Sequence, residues 1–260
     1  MDKAQLLERE AINAAITSNW DKAIQLNEKI ISSDKKNVDA YLRLGFAYLQ
    51  KSQLRKAKII YSKAQKYQPG NYLISENLEK IKVLESKKIS KLPQTDLNPD
   101  IFVDVPGKTK TVVLVNAGQK AVLAKLSIGQ EAYLAPKKRR IEVRSGDKEY
   151  IGALPDDISR RLTIFMKAGS LFKAFIKEAT LKSTSVFLKE EKKGKKVAKY
   201  ASFPINFQAG LNNINLDEDV KDDEVEEISD NDLEKLAETL SEEKEYLGYE
   251  PEEKEEEAEE

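Results

Sequence analysis

The spacing of apolar and polar residues changes twice along the chain. Up to about residue 87, apolar residues recur every three or four positions, which predicts amphipathic helices. From Ile101 to Asn206, short β-branched runs alternate with turn residues, a pattern typical of strands. From Asp217 to Glu260 the chain is too acidic to bury a core, which predicts disorder. The pattern therefore predicts a multidomain α+β protein with an acidic tail.

The clearest helical signal lies between Val38 and Asn71. Small residues, Gly45 and Ala57, stand where two antiparallel helices would approach each other, on either side of a bend near Ser52. The pattern that carries this prediction is Tyr41-x-x-Leu44-Gly45-x-x-Tyr48, then Ala57-x-x-x-Tyr61, then Pro69. It resembles the tetratricopeptide repeat (TPR), whose W-x2-L-G-x2-Y, A-x3-F and P positions recur about every 34 residues.

Weaker copies of the same repeat flank it on both sides. Moving the register back places Trp20 and Ala23 where the second helix begins, although Asn27 takes the place of the large aromatic residue. Moving it forward predicts a closing helix from Tyr72 to Glu85, with a polar outer face toward solvent. The TPR resemblance thus covers residues 1–87, and an unrelated helical hairpin is the alternative.

The TPR resemblance implies a concave, peptide-binding surface lined by the first helix of each repeat. The set of Lys and Asn residues that would hold a C-terminal carboxylate is mostly missing, so a mixed apolar groove for an amphipathic segment is favoured. The residues predicted to line this partner-binding groove are Ile12, Leu42, Arg43, Phe46, Leu49 and Asn77.

Three further regions follow the helices. Residues 88–100 are polar and carry Pro93 and Pro99, which predicts a linker. Residues 101–206 predict a small β-rich barrel or roll with one helix, which starts with Asp156 as N-cap and ends at Gly169. The predicted strands are IFVDV, TVVLVNA, AVLAKLSI, EAYLA, RRIEVRS and EYIGALP, followed by a hairpin in FKAFIKEATLKSTSVFLKE. The acidic tail is residues 207–260, in which Leu233, Leu236, Ala237 and Leu240 share one helical face.

One stretch of the β-rich region resembles a second family. Ile151-Gly152-Ala153-Leu154-Pro155 leads into a helix that carries Ile158, Leu162 and Phe165, which is similar to the strand-to-helix half of the HIRAN domain. The acidic-Asn-Pro-x-Asp signature of that family is absent, and residues 137–140 (KKRR) stand in its place. The resemblance implies a barrel that binds nucleic acid.

The composition excludes several classes of site. The chain has no cysteine and no histidine, so thiolate nucleophiles, Cys-ligated zinc and the commonest general base are all missing. Pro106-Gly107-Lys108-Thr109 contains GKT, but Phe102 occupies the position where a phosphate-binding loop needs glycine. We therefore predict a protein that is not an enzyme and has no cofactor or metal. The N-terminus lacks a signal-peptide pattern and no apolar run is long enough to span a membrane, so we expect a cytoplasmic location.

The near-zero net charge hides a strong asymmetry. Residues 217–260 contain 4 basic and 23 acidic residues, whereas residues 101–206 contain 22 basic and 10 acidic ones. Clustered basic residues bind phosphates by releasing counterions, and a solubilising basic surface is the alternative. The residues predicted to bind a polyanion are Lys137, Lys138, Arg139, Arg140, Arg144, Arg160 and Arg161. The tail is a solubility segment, a nucleic-acid mimic that folds back on the basic region, or a helix presented to a partner.

These observations predict a non-catalytic protein–protein adaptor. Its TPR groove would take a peptide or partner helix, and its basic domain would attach to a polyanion. The alternative function is a nucleic-acid- or ribosome-associated factor that acts through the basic domain. A carboxylate-based hydrolase has no specific motif behind it, and the sequence leaves the partner and the oligomeric state open.

Overall fold

The computed structural model describes residues 3–89, 91–93 and 98–204, together with 235, 237 and 238. It has an N-terminal helical region followed by a curled six-stranded antiparallel sheet, which confirms the predicted fold class. Most of the acidic tail, residues 207–260, lies outside the described residues, and so does the prediction that it is disordered.

The helical region is a row of antiparallel helices in which each helix packs on the next. Its helices are α1 (Lys3–Ile16), α2 (Trp20–Ser33), α3 (Val38–Gln50), α4 (Leu54–Tyr67) and α5 (Tyr72–Ser86). Equivalent features recur 34 positions apart. Ser18 and Ser52 both have left-handed φ angles, 55° and 56°, in the turns before α2 and α4. Asn37 and Asn71 both cap the following helix with their side chains. The region is therefore a helical repeat.

The close approach of α3 and α4 depends on Gly45. A Cβ atom at this position would lie 2.6 Å from Cζ of Tyr61, whose side chain is fully buried between the helices. Ala57 and Leu44 complete the contact and are also buried. A small residue next to a large aromatic ring is therefore what lets these helices pack, as the sequence predicts.

The sheet curls until its two ends meet. Its strands are β1 (Thr109–Val113), β2 (Glu131–Pro136), β3 (Ile141–Arg144), β4 (Tyr150–Ala153), β5 (Leu171–Ala179) and β6 (Thr184–Lys192), in the order β1-β6-β5-β2-β3-β4. Just after β1, Val115 exchanges two hydrogen bonds of 2.8 Å with Ala153 of β4. The apolar core fills the inside of this curl, where Ile141, Val143 and Ile151 are fully buried.

Two of the predicted strands are wrong. Residues 99–102 form a 3-10 helix because Pro99 starts it and the Asn98 side chain accepts a hydrogen bond from the Asp100 backbone N–H. The run AVLAKLSI begins in a short helix, α6 (Lys120–Leu123), rather than a strand. Val122 and Leu123 are adjacent and both buried, which one helical turn allows and an alternating strand does not.

Helix α7 (Asp156–Lys167) covers one side of the curled sheet. Pro155, not Asp156, takes the N-cap position, and Asp156 lies in the first turn, where its charge favours the helix dipole. Ile158 and Leu162 enter the core of the sheet, and Gly169 ends the helix with a φ of 93°. After β6, a 3-10 turn at Lys195–Val197 leads to Pro204, the last residue of the continuous described stretch that begins at residue 98.

The last helix of the repeat packs on the sheet domain instead of facing solvent. Leu84 of α5 is fully buried in a cluster with Ala124 and Leu181. Lys80 donates a hydrogen bond of 3.2 Å to the Leu126 carbonyl, and burial lowers the pKa of its ammonium group. The prediction that the outer face of this helix is solvated is therefore wrong for its C-terminal half.

No helix in the described part of the chain is long and apolar enough to cross a membrane.

Candidate functional site

A basic cleft of about 670 Å³ lies between the β2–β3 loop and the outer face of α7. The loop contributes three of the predicted cationic residues, and α7 contributes one. The residues that line this cleft are Asn116, Lys138, Arg139, Arg140, Asp156, Arg160, Thr163, Ile164, Lys167 and Ala237. The cations of this cleft are therefore close in space although they are up to 29 positions apart in the chain, from Lys138 to Lys167.

The hairpin that joins β2 to β3 fixes the loop cations. Pro136 pairs with Ile141, so the four residues between them form the turn, which is closed by a 2.8 Å hydrogen bond from Lys137 N–H to the Arg140 carbonyl. All four side chains of this turn, Lys137 to Arg140, are exposed. A tight turn with no apolar side chain therefore projects its charges into solvent beside α7.

The periodicity of α7 selects which of its residues face the cleft. Arg160, Thr163, Ile164 and Lys167 are spaced i, i+3, i+4 and i+7, so they share one helical face. Arg160 and Lys167 are both exposed. Lys167 is not among the cations predicted from the sequence, although its helical spacing of seven from Arg160 places it on the same face.

Arg161 has a structural role that the sequence did not predict. It is only 8% exposed, and its guanidinium donates a 3.0 Å hydrogen bond from Nε to the Ser202 carbonyl and another from Nη2 to the Ala201 carbonyl. It also lies 5.3 Å from the centroid of the Phe165 ring. Arg161 therefore ties the end of the sheet domain to α7 and does not line the cleft.

The cleft carries a large excess of positive charge. Among the described residues that line it, five are basic and one, Asp156, is acidic. The basic residues are Lys138, Arg139, Arg140, Arg160 and Lys167. Within the described part of the chain, none of these five cations forms a salt bridge. Cations without local partners keep their charge available for a ligand.

Arg144 stands between two tyrosines beside the cleft. In the strand register, Tyr133 of β2 lies opposite Arg144 of β3, which lies opposite Tyr150 of β4. The Arg144 guanidinium donates two hydrogen bonds, of 3.0 and 2.6 Å, to Glu142, and this contact lowers the pKa of the Glu142 carboxyl. Tyr133 is 55% exposed, and the Tyr150 hydroxyl donates a 2.9 Å hydrogen bond to the carbonyl of Asn116, a residue of the cleft wall. This row of aromatic, cationic and aromatic side chains leads to the cleft.

The residues of the predicted partner-binding groove have different environments. Ile12 is 40% exposed on α1, and Leu42 and Phe46 are half-buried on α3. Phe46 packs edge-on against Trp20, with ring centroids 5.8 Å apart. Leu49, at 3% exposure, belongs to the core between the helices and lines no open surface.

The two polar members of the predicted groove are engaged within the helical region. The Arg43 guanidinium pairs with Glu8 at 3.0 Å and donates a hydrogen bond of 3.1 Å to Oδ1 of Asn27. The Asn77 side chain donates to the Leu73 carbonyl at 2.7 Å. Of the six predicted groove residues, Ile12 is therefore the exposed apolar one, and the two polar ones are held by contacts within the helices.

Among the described residues, no group of three or more acidic side chains is arranged to hold a metal ion. The sequence contains neither histidine nor cysteine, so carboxylates are the only strong metal ligands available. What the cleft can do chemically is attract and position an anion.

Comparison with known proteins gives one structural likeness. No protein-family model matches the chain, and no curated protein matches its sequence. Among solved structures, the chain resembles the crystal structure of the HIRAN domain of human HLTF, with 11% sequence identity and a TM-score of 0.27. The alignment covers 33% of this chain and 77% of that domain. A likeness at this level carries no weight for function, which has to be inferred from the site itself.

Proposed function

We propose that the protein is a non-catalytic binding protein whose sheet domain attaches to nucleic acid through the basic cleft. The observation that carries this proposal is the convergence of five exposed cations from the β2–β3 loop and α7 on one concavity. Such a surface binds phosphates mainly by releasing condensed counterions, so its affinity is strong at low salt and largely independent of base sequence.

The aromatic row beside the cleft favours single-stranded over double-stranded nucleic acid. Exposed bases of a single strand can stack on a tyrosine ring, whereas the bases of a duplex are already stacked on each other. Tyr133 is 55% exposed, so its ring is accessible to a base, and Arg144, which is paired with Glu142, lies opposite it in the neighbouring strand. The phosphates of the same strand would then lie toward Arg140 and Arg160.

A direct titration tests this function. A fluorescein-labelled single strand of about 16 nucleotides, at the upper end of the span of small barrel folds, would be titrated with full-length protein and followed by anisotropy. Unlabelled single strand, duplex and inorganic polyphosphate serve as competitors. The proposal predicts that the single strand competes better than either, and that Tyr133→Ala lowers its affinity about tenfold, the loss expected for one stacked base.

A matched exposed tyrosine provides the control for this experiment. Tyr72 on α5 is 61% exposed and lies on the helical region, so Tyr72→Ala should leave the affinity unchanged. Equal competition by polyphosphate with no effect of Tyr133→Ala would mean that the cleft recognises charge alone. Absence of any binding at low salt would show that the proposed function is wrong.

We propose a second role for the helical region, as a TPR-type adaptor that recruits a protein partner. It is supported by the 34-residue recurrence of Ser18 with Ser52 and of Asn37 with Asn71, and by the exposure of Ile12 and of Ile16 on α1, each at 40%. An amphipathic helix is the kind of partner that such an apolar strip fits.

Affinity capture with full-length protein distinguishes the two roles. Partners that persist after nuclease treatment and disappear with Ile12→Asp would support the adaptor role. Ile59→Asp is the control, since Ile59 is 56% exposed on α4 outside the predicted groove. Partners that vanish on nuclease treatment would be held through nucleic acid, which contradicts the adaptor role. The proposal keeps the cytoplasmic location expected from the sequence, which cell fractionation would test.

A further inference from the structure

A residue of the acidic tail, Ala237, forms part of the wall of the basic cleft. Ala237 packs against the small apolar cluster formed by Ile164, Phe165 and Val197, and it is one of the residues that line the cleft. Lys235, Ala237 and Glu238, the three described residues of the tail, are helical. The contact is made to the same face of α7 that carries Arg160 and Lys167.

The sequence around Ala237 has the charge that the cleft attracts. Residues 230–240, here called the acidic segment, contain four acidic residues and one basic residue, Lys235. Ala237 is small enough to allow close approach to Ile164, and the net negative charge of the segment is attracted by the cations of the β2–β3 loop and α7. The contact made by Ala237 and the net charge of this segment therefore both favour binding to the cleft.

We infer that the acidic segment is a built-in occupant of the basic cleft and competes with nucleic acid for it. The inference rests on the function proposed above, because it assigns a regulator to the same site. Ala237 lines the same space between the loop and α7 that a bound phosphate chain would enter, so the acidic segment and nucleic acid would compete for the same cations.

Covalent attachment makes even a weak contact effective. A tethered segment meets its site at an effective concentration on the order of 1 mM, so a contact with a dissociation constant of that size fills the cleft about half of the time. Its charge interactions are screened beyond a Debye length of about 8 Å at physiological ionic strength. Competition should therefore be modest and should weaken as salt is added.

The absence of cysteine allows the docked state to be trapped. Thr163 and Ala237 line the same cleft, so a full-length double variant Thr163→Cys with Ala237→Cys carries only two thiols, both at the proposed contact. The control is Thr163→Cys with Ala258→Cys, which places the second thiol elsewhere in the tail. Under mild oxidation at low salt, the first pair should form an intramolecular disulfide several-fold faster than the control pair, as read by mobility on a non-reducing gel.

Adding the single-stranded oligonucleotide then tests the competition. Binding should slow the disulfide of the Thr163 and Ala237 pair several-fold and leave the control pair unchanged. A rate no higher than that of the control would overturn the inference. An unchanged rate while the oligonucleotide is bound would overturn it as well, because the two ligands would then occupy different places.

A second variant pair measures the effect on affinity without changing the net charge. Ala237→Gln keeps a helix-forming residue but adds a polar side chain at the apolar contact, and Ala258→Gln makes the same change elsewhere in the tail. The first should raise the affinity for the oligonucleotide about two-fold or more relative to the second. If the disulfide forms fast but no oligonucleotide binds, the contact between the acidic segment and the cleft is supported and only the proposed nucleic-acid binding is refuted.

Discussion

Arg160 and Arg161 are neighbours in sequence and lie in opposite environments. Arg160 is exposed on the cleft face of α7, whereas Arg161 is buried and donates hydrogen bonds to the carbonyls of Ala201 and Ser202. A rotation of about 100° per helical residue is enough to separate the two side chains. One residue therefore serves the candidate binding site and the other serves the fold.

This difference in environment predicts a large loss of stability for one of two matched substitutions and almost none for the other. Arg161→Ala should lower the free energy of unfolding by about 1–3 kcal/mol, because it leaves the buried carbonyl of Ser202 and the half-buried carbonyl of Ala201 without this donor. Arg160→Ala should change it by less than about 0.5 kcal/mol, as expected for an exposed side chain. Urea unfolding of both variants followed by circular dichroism measures the difference. Equal losses in the two variants would contradict the assigned environments.

The salt dependence of binding should report the number of cations in contact with phosphates. For a single strand, the logarithm of the affinity falls with the logarithm of salt concentration by about 0.7 for each contact, so five contacts give a slope of about −3.5. Arg160→Ala should reduce the magnitude of this slope by about 0.7. Titrations at several salt concentrations give both values. A slope that is unchanged in the variant would show that Arg160 makes no phosphate contact.

The packing of α3 on α4 is tested at two glycines. Gly45→Ala forces a Cβ atom to within 2.6 Å of the buried Tyr61 ring. Overpacking costs up to about 3 kcal/mol and the gain in helix propensity returns about 1, so we expect a net loss of roughly 2 kcal/mol in unfolding free energy. A Cβ atom at Gly70 would have no neighbour within 4 Å, so Gly70→Ala is the control. It should be neutral or slightly stabilising, by up to about 1 kcal/mol.

The helical region should lose stability in alkaline solution. Burial and a 2.9 Å hydrogen bond donated to Glu28 raise the pKa of the Tyr48 hydroxyl from its ordinary value of 10.0 to about 12. Since the folded-state pKa is raised, this contribution is complete below pH 10.0 and is lost as the pH rises toward about 12. Tyr48→Phe removes the titrating group.

The measurement compares the two chains on either side of that window. Unfolding free energies at about pH 9 and about pH 11.5 should fall less steeply for Tyr48→Phe than for the parent chain. The variant should also be less stable at pH 9, because Glu28 loses its donor. Equal pH dependence in both chains would show that Tyr48 does not titrate with a raised pKa.

Elements with a strong local signal could be predicted from the sequence. The small Gly45 beside Tyr61 and the bend at Ser52 are set by residues close in the chain, and the structure confirms them. Strands predicted from short apolar runs are wrong at residues 101–105 and in AVLAKLSI. In the first run, a capping asparagine followed by proline favours a 3-10 turn, and in the second, adjacent apolar residues satisfy a buried helical turn as well as a strand.

The site could be predicted only in part, because its residues come from separate elements. The clustering of basic residues in the sequence predicts the loop cations and Arg160 correctly. It assigns Arg161 the same role, because a cluster of charges does not indicate which side of a helix each residue faces. The docking of α5 on the sheet domain and of Ala237 on α7 depends on tertiary packing of apolar side chains. No local pattern specifies which of several apolar faces such residues will meet.

Reversal of two cleft charges tests the central claim most directly. The full-length double variant Arg140→Glu with Arg160→Glu would be compared with Lys29→Glu with Lys66→Glu, which makes the same change in net charge at exposed positions of the helical region. Oligonucleotide anisotropy at low salt should show a loss of affinity of at least about tenfold for the cleft variant, the loss from about two phosphate contacts, and little change for the helical-region variant. Equal losses in the two variants, or no loss in either, would contradict binding at the cleft.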